Sequence, residues 1–145
     1  MVSMLPPNIL DELALAALLA RVNGVVESSQ VNKLVEYLES TDSFTLLLFL
    51  VRQTARNRWD PVSAARLYKI LNRLIAGTSS EEERKDKLRR ALGYFKWFYE
   101  CWELNQGVYA ALQRKYKDLA QARRDPNIPA PQGFAEEYLR SILRI

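Results

Sequence analysis

Apolar positions recur at spacings of three and four along almost the whole chain, and the polar residues between these runs read as helix ends. Asn8 is placed to cap a first helix running to about Asn23, where Gly24 supplies a left-handed stop. Inside it, Leu13 to Ala20 is apolar without interruption and reads as a helix packed in the core. Ser28 or Ser29 opens a second helix, with Val31, Leu34, Val35 and Leu38 on one face. Ser43 caps a third, from Phe44 to about Arg58. Its first half is apolar all round, which predicts a central, fully buried helix. Its second half turns polar at Arg52, Gln53, Arg56 and Arg58, so that end should emerge from the core.

Asp60-Pro61 starts a fourth helix with a capping carboxylate and a proline in the first turn, and Gly77 ends it. Ser79 with Glu82, or Ser80 with Glu83, forms a capping box for a long fifth helix reaching about Leu104. That helix carries Leu88, Leu92, Phe95, Tyr99 and Trp102 at helical spacing. After Asn105-Gln106-Gly107 another helix continues to about Arg123. A proline-containing loop, Asp125 to Gly133, leads to a short last helix, Phe134 to Ile145. The expectation is an all-α protein: a compact bundle of about six or seven helices, one domain over residues 1–145, with no strand, internal repeat or low-complexity segment.

Charge adds an asymmetry. Residues 1–51 hold two basic and six acidic side chains, whereas residues 52–145 hold nineteen and eleven, within a chain of net charge +4. A basic two-thirds suits an anionic partner, nucleic acid first. Leu13 to Ala20 resembles a secretory core, but no basic residue precedes it, and Asp11 and Glu12 stand where positive charge would be needed. The densest apolar run, Phe44 to Val51, is eight residues, short of the roughly 20 that span a bilayer. With a single cysteine, Cys101, and so no internal disulfide, a cytoplasmic protein with no membrane association is expected.

Candidate chemistry is thin on the catalytic side. The chain has no histidine, the commonest general base and metal ligand. One cysteine cannot build a zinc site, and Cys101 lies among aromatic residues as a small core thiol. No glycine-rich phosphate loop occurs, and the carboxylate pairs Glu100/Glu103 and Glu136/Glu137 read as solvated surface. No enzyme, no cofactor and no metal are expected.

The basic residues are more informative. At 100° per residue, Arg66, Lys69 and Arg73 fall within about 60° of one another, opposite the apolar arc of the fourth helix. Arg52 and Arg56 lie one turn apart at the end of the third, followed by Arg58 and the Trp59-Asp60-Pro61 corner, where Trp59 reads as packing. No acidic residue interleaves the stripe, and arginine dominates it, whose planar fork suits phosphate oxygens. If the two helices form a hairpin, the two groups share an edge. Arg52, Arg56, Arg58, Arg66, Lys69 and Arg73 are therefore the candidate RNA-binding set. Arg84, Lys85, Lys87, Arg89 and Arg90 read as partners of the nearby acids, while Arg114, Lys115, Lys117, Arg123 and Arg124 form a second possible contact surface. The run Tyr94 to Tyr99 spreads aromatics around its helix, so some of Tyr94, Trp97 and Phe98 should meet a partner chain or lie under the last helix.

The stretch Phe49-Leu50-Val51-Arg52-Gln53-Thr54-Ala55-Arg56-Asn57-Arg58, then Val62-Ser63-Ala64-Ala65-Arg66-Leu67-Tyr68-Lys69-Ile70-Leu71, resembles the small helical subunit of type III CRISPR effector complexes, of the Csm kind. Leu88-Arg89-Arg90-Ala91-Leu92-Gly93-Tyr94 and Gly107-Val108-Tyr109-Ala110-Ala111-Leu112 look like that subunit's long helix and the one after it. The likeness covers roughly residues 45–122 and is a pattern of residue classes. It departs where the family's Ser-Gln reads Ser63-Ala64-Ala65, and where a Lys-Pro-Lys-like stretch is replaced by Arg89-Arg90-Ala91. The first forty residues and the tail after Arg123 have no counterpart.

The resemblance implies a non-nuclease subunit of an antiviral RNA-guided complex. Such subunits stack head to tail with copies of themselves beside other effector subunits, and hold the backbone of the guide–target RNA duplex without reading sequence. Stacking of that kind would turn the acidic N-terminal third toward a neighbour's basic surface. The alternatives are a helical protein–protein adaptor with no nucleic-acid role, and a DNA-binding helix-turn-helix, for which Val62-Ser63-Ala64-Ala65 is a poor start to a recognition helix.

Overall fold

A computed structural model describes residues 5–145. The helix wholly enclosed by protein is the first one: α1 (Pro7–Asn23) carries Leu13 to Ala20 in full burial, one residue after another. Alanines at 14, 16, 17 and 20 let neighbouring helices approach closely on several sides, and α4, α5 and α8 pack around it. The chain enters α1 through Pro6, so Asn8 lies within the first turn and caps nothing. Gly24 closes the helix at φ 74°, its N–H donating to the Ala20 carbonyl.

α2 (Ser28–Glu39) and α3 (Ser43–Ala55) follow, each packed against the other and against α5 (Glu81–Cys101). Asp42, one residue before the expected Ser43, caps α3 by accepting from the Thr45 amide at 2.7 Å. Ser43 is instead the first helical residue, and its amide and hydroxyl both donate to Glu81 at the start of α5. α3 is not the central helix that its composition predicts. Phe44, Leu48 and Val51, spaced as one face of a helix, are 72%, 56% and 50% exposed. Leu46, Leu47 and Leu50 are buried in the core from this apolar run, with Phe49 half-buried against it. An all-round apolar helix can fill the centre only if neighbours surround it, and α1 already occupies that place.

α3 ends earlier than Arg58. Asn57 adopts φ 63°, the Arg58 amide donates to the Gln53 carbonyl and the Asn57 amide to Thr54, a Schellman closure with asparagine in the usual glycine place. α4 (Pro61–Ala76) then starts as expected, Asp60 accepting from the Ser63 amide at 3.0 Å. Ser80 caps α5 through the Glu83 amide. Beyond a 3-10 turn (Trp102–Leu104), the single helix expected up to Arg123 is broken at Tyr116 into α6 (Val108–Lys115) and α7 (Leu119–Ala122). α8 (Phe134–Leu143) completes eight helices, with no strand among the described residues. No helix of the described residues is long and apolar enough to cross a membrane.

Aromatic residues lock the bundle. Trp59 is buried at the α3–α4 corner with its ring centroid 6.0 Å from Phe95 on α5. Tyr99 donates its hydroxyl to the Val26 carbonyl, and Tyr138 of α8 donates to the Phe98 carbonyl, both at 2.7 Å. Phe98 therefore lies under the last helix, while Trp97 projects from α5 with 66% of its surface open, edge-on to Tyr94.

Candidate nucleic-acid interface

The six candidate residues do not form one surface. Arg52 and Arg56 are exposed on the last turns of α3 and face α2. Arg58 is exposed beyond the Asn57 closure, off the helix. None of the three makes an ion pair among the described residues, and Arg56 has only a long contact, 3.5 Å, to its neighbour Gln53.

Arg66 is a correction. It is 3% exposed and donates to three backbone carbonyls of the C-terminal segment: Ile128 at 2.7 Å, Asp125 at 2.9 Å and Ala122 at 3.1 Å. Burial pulls its pKa below the ordinary arginine value, with Glu12 and Asp125 opposing the shift. Both terminal nitrogens are engaged and its Nε, though without a partner, is buried, so it has no exposed donor pair to offer a phosphate. Lys69, on the same face, is exposed but donates to the Asn127 side chain, and Arg73 alone of the stripe is exposed without a hydrogen-bond partner among the described residues. These three residues line a groove with Pro126 to Pro129, whereas Arg52 and Arg56 line another between α2 and α3. The two groups share no groove, because the segment after α7 folds back over the cationic side of α4. The start of α4 is closed as well: Ser63 and Ala64 are buried and present nothing to a base edge.

Four of the six acids of the N-terminal third have partners within the chain. Asp11 accepts from the Gly133 and Ala135 amides at the start of α8, and Glu12 accepts from Ala130. Glu39 pairs with Arg89 at 2.8 Å, and Asp42 caps α3. Glu27 and Glu36 are exposed with no hydrogen bond or ion pair among the described residues, and Glu39 and Asp42 are exposed as well.

On α5 the three arginines are paired, whereas Lys87 donates to the Thr78 hydroxyl and Lys85 and Lys96 make no ion pair among the described residues. Arg84 lies 3.8 Å from Glu81, Arg90 3.3 Å from Asp86, and Arg89 bridges to Glu39 across to α2. The Arg89 contact holds the Glu39 carboxyl below its ordinary value. In the C-terminal cluster, Lys115 pairs with Glu137, and Arg123 donates to Asn23 while lying over the Tyr109 ring. Arg114, Lys117 and Arg124 are exposed and unpaired among the described residues.

What remains is the α2–α3 groove, a cleft of about 360 Å³. α2 contributes Lys33, Glu36 and Tyr37 from one face, and α3 contributes Phe49, Arg52 and Arg56 from one face. The floor is fixed by a buried amide pair, Gln53 donating to Gln30 at 2.9 Å. Tyr37 and Phe49 stack across the groove, centroids 4.4 Å apart at 23°. Lys33 and Tyr37 are residues that reading each helix alone does not single out. The available signal was their i, i+4 spacing on the polar side of α2. It acquires meaning only once α2 is known to lie beside Arg52 and Arg56.

No group of three or more His, Cys, Asp or Glu among the described residues could hold a metal ion. Burial raises the Cys101 thiol above its ordinary pKa, away from the reactive thiolate. Comparison of the chain with protein-family models, with curated proteins and with solved structures finds no match.

Proposed function

We propose that this protein is a non-catalytic subunit of an RNA-guided assembly of the type III CRISPR kind, which holds the guide or target RNA backbone through Arg52, Arg56 and Arg58, joined by Lys33. One observation carries the reading: Lys33, Arg52 and Arg56 converge on the α2–α3 groove with no ion pair among the described residues, whereas Arg84, Arg89 and Arg90 of α5 are each matched to a carboxylate. Unpaired arginines leave their donor forks ready for phosphate oxygens, and such contacts do not discriminate sequence. Arg66 and Lys69 leave the RNA-binding set, and Arg73 lies on a separate groove.

The subunit part of the reading is supported by apolar surface on separate elements. One face of α3 exposes Phe44, Leu48 and Val51, while Leu139 and Leu143 of α8 are exposed with Leu104 and Ile145. Two unlike patches on one chain suit head-to-tail contact. The same surfaces favour a second reading, a protein–protein adaptor with no RNA.

Fluorescence anisotropy with labelled RNA across a salt series separates the two. An Arg52→Gln/Arg56→Gln/Arg58→Gln variant should lose affinity and about two units or more of log–log salt slope, because each lost phosphate contact removes nearly one. An Arg89→Gln/Arg90→Gln control should keep its slope. A wild-type protein that fails to bind RNA at low salt leaves the adaptor as the reading.

A further inference from the structure

The α2–α3 groove holds more than phosphate contacts require. Backbone recognition of a duplex needs cations alone, since the bases are stacked inside the helix and present no open face. Here the cations flank an aromatic pair. Phe49 lies against one face of Tyr37, yet Tyr37 lines the groove and keeps 36% of its surface open. The second ring stiffens the first, and the Gln53–Gln30 amide pair holds the two helices in register beneath them. Arg52 and Arg56 stand one turn apart along α3, about 6 Å of rise, so they can reach different phosphates of one strand. Glu36 is the one carboxylate in the groove and can accept from the exocyclic amino group of a base. The volume lies near the small end of the roughly 300–1,000 Å³ typical of ligand sites.

Resting on the RNA-binding reading above, we infer that the groove takes a single-stranded segment, one unpaired base stacking on Tyr37 while Lys33, Arg52 and Arg56 hold the flanking phosphates. Aromatic stacking tolerates any base, so by itself it adds strand selectivity without sequence selectivity. Glu36, by accepting from an exocyclic amino group, adds to the stacking a mild preference for amino-bearing bases over uracil.

The test compares three labelled probes by anisotropy: an oligocytidylate of about ten nucleotides, the same oligomer carrying abasic positions, and an RNA duplex of equal length. The single strand should bind tighter than the duplex, and the abasic oligomer about tenfold weaker than its parent. Tyr37→Leu, which keeps apolar volume but removes the π-face, should show the same tenfold loss with an unchanged salt slope, and Tyr37→Trp should restore binding. The abasic comparison uses only wild-type protein, so it stands even if Tyr37→Leu folds poorly. Duplex bound as tightly as single strand, or abasic and parent oligomers bound equally, overturns the stacking assignment and leaves the backbone reading in place. Wild-type protein that binds none of the probes overturns both.

Discussion

Replacing Arg66 by methionine tests whether this residue clamps the fold or serves a ligand. The side chain is almost wholly buried, and its two terminal nitrogens donate to the carbonyls of Ala122, Asp125 and Ile128. Hydrogen bonds to a charged group contribute about 1.5–3 kcal/mol each, but they are not additive, and water can reach carbonyls near the surface once the donor is gone. Methionine restores most of the aliphatic packing. The net loss should be about 3 kcal/mol, a fall in Tm of roughly 10 °C for a chain this size. Lysine should recover less than half, since one ammonium cannot span three carbonyls as the planar fork does. The loosening should begin locally. Hydrogen exchange of the Ala130, Gly133 and Ala135 amides, held by Glu12 and Asp11 from α1, should quicken before that of α5. Circular dichroism melts with residue-resolved exchange make the measurement. A variant with unchanged Tm and exchange, but weakened RNA binding, would refute the clamp and return Arg66 to the RNA-binding face.

Two further outcomes follow from the same geometry. Leu18→Ala on the enclosed α1 should cost about 2–5 kcal/mol in chemical denaturation, whereas Leu48→Ala on the open face of α3 should stay within roughly 0.5 kcal/mol of wild type; equal losses would mean that α3, not α1, is central. The Ser43 hydroxyl and amide hold the Glu81 carboxyl below its ordinary value of 4.5, so the stability it contributes is full above that pH and drains as pH falls through the lower folded-state value. Glu81→Gln should therefore melt earlier than wild type at neutral pH, with the gap closing in acid; a gap constant down to about pH 3 would show that Glu81 is not coupled to Ser43.

Much of this protein is written locally. Helix periodicity, Asp60-Pro61, Ser80 with Glu83, and Gly24 determine the all-α class and most helix ends, because each signal acts over one turn of backbone. The break at Tyr116 and the early close at Asn57 are also local, but weaker, since asparagine adopts the left-handed conformation less readily than glycine. The local pairing of the α5 arginines, Arg84 with Glu81 and Arg90 with Asp86, is legible for the same reason, unlike the Arg89–Glu39 bridge. Which of two apolar helices is enclosed was not legible. Leu13–Ala20 and Phe44–Val51 are both continuous apolar runs, and only the arrangement of their neighbours leaves Phe44, Leu48 and Val51 open.

The candidate site shows the same division. Sequence alone determined that Arg52, Arg56 and Arg58 emerge where α3 turns polar, since that follows from position on one helix. The helical wheel put Arg66 in the same class, because a wheel registers only the residue's own helix. Tertiary structure decided otherwise: a segment some sixty residues later folds over α4, and its backbone carbonyls, outside any helix ladder, take the guanidinium as donor. It also decided that Tyr37 and Lys33 stand opposite Arg52 and Arg56, a juxtaposition made by packing two helices and carried by neither one.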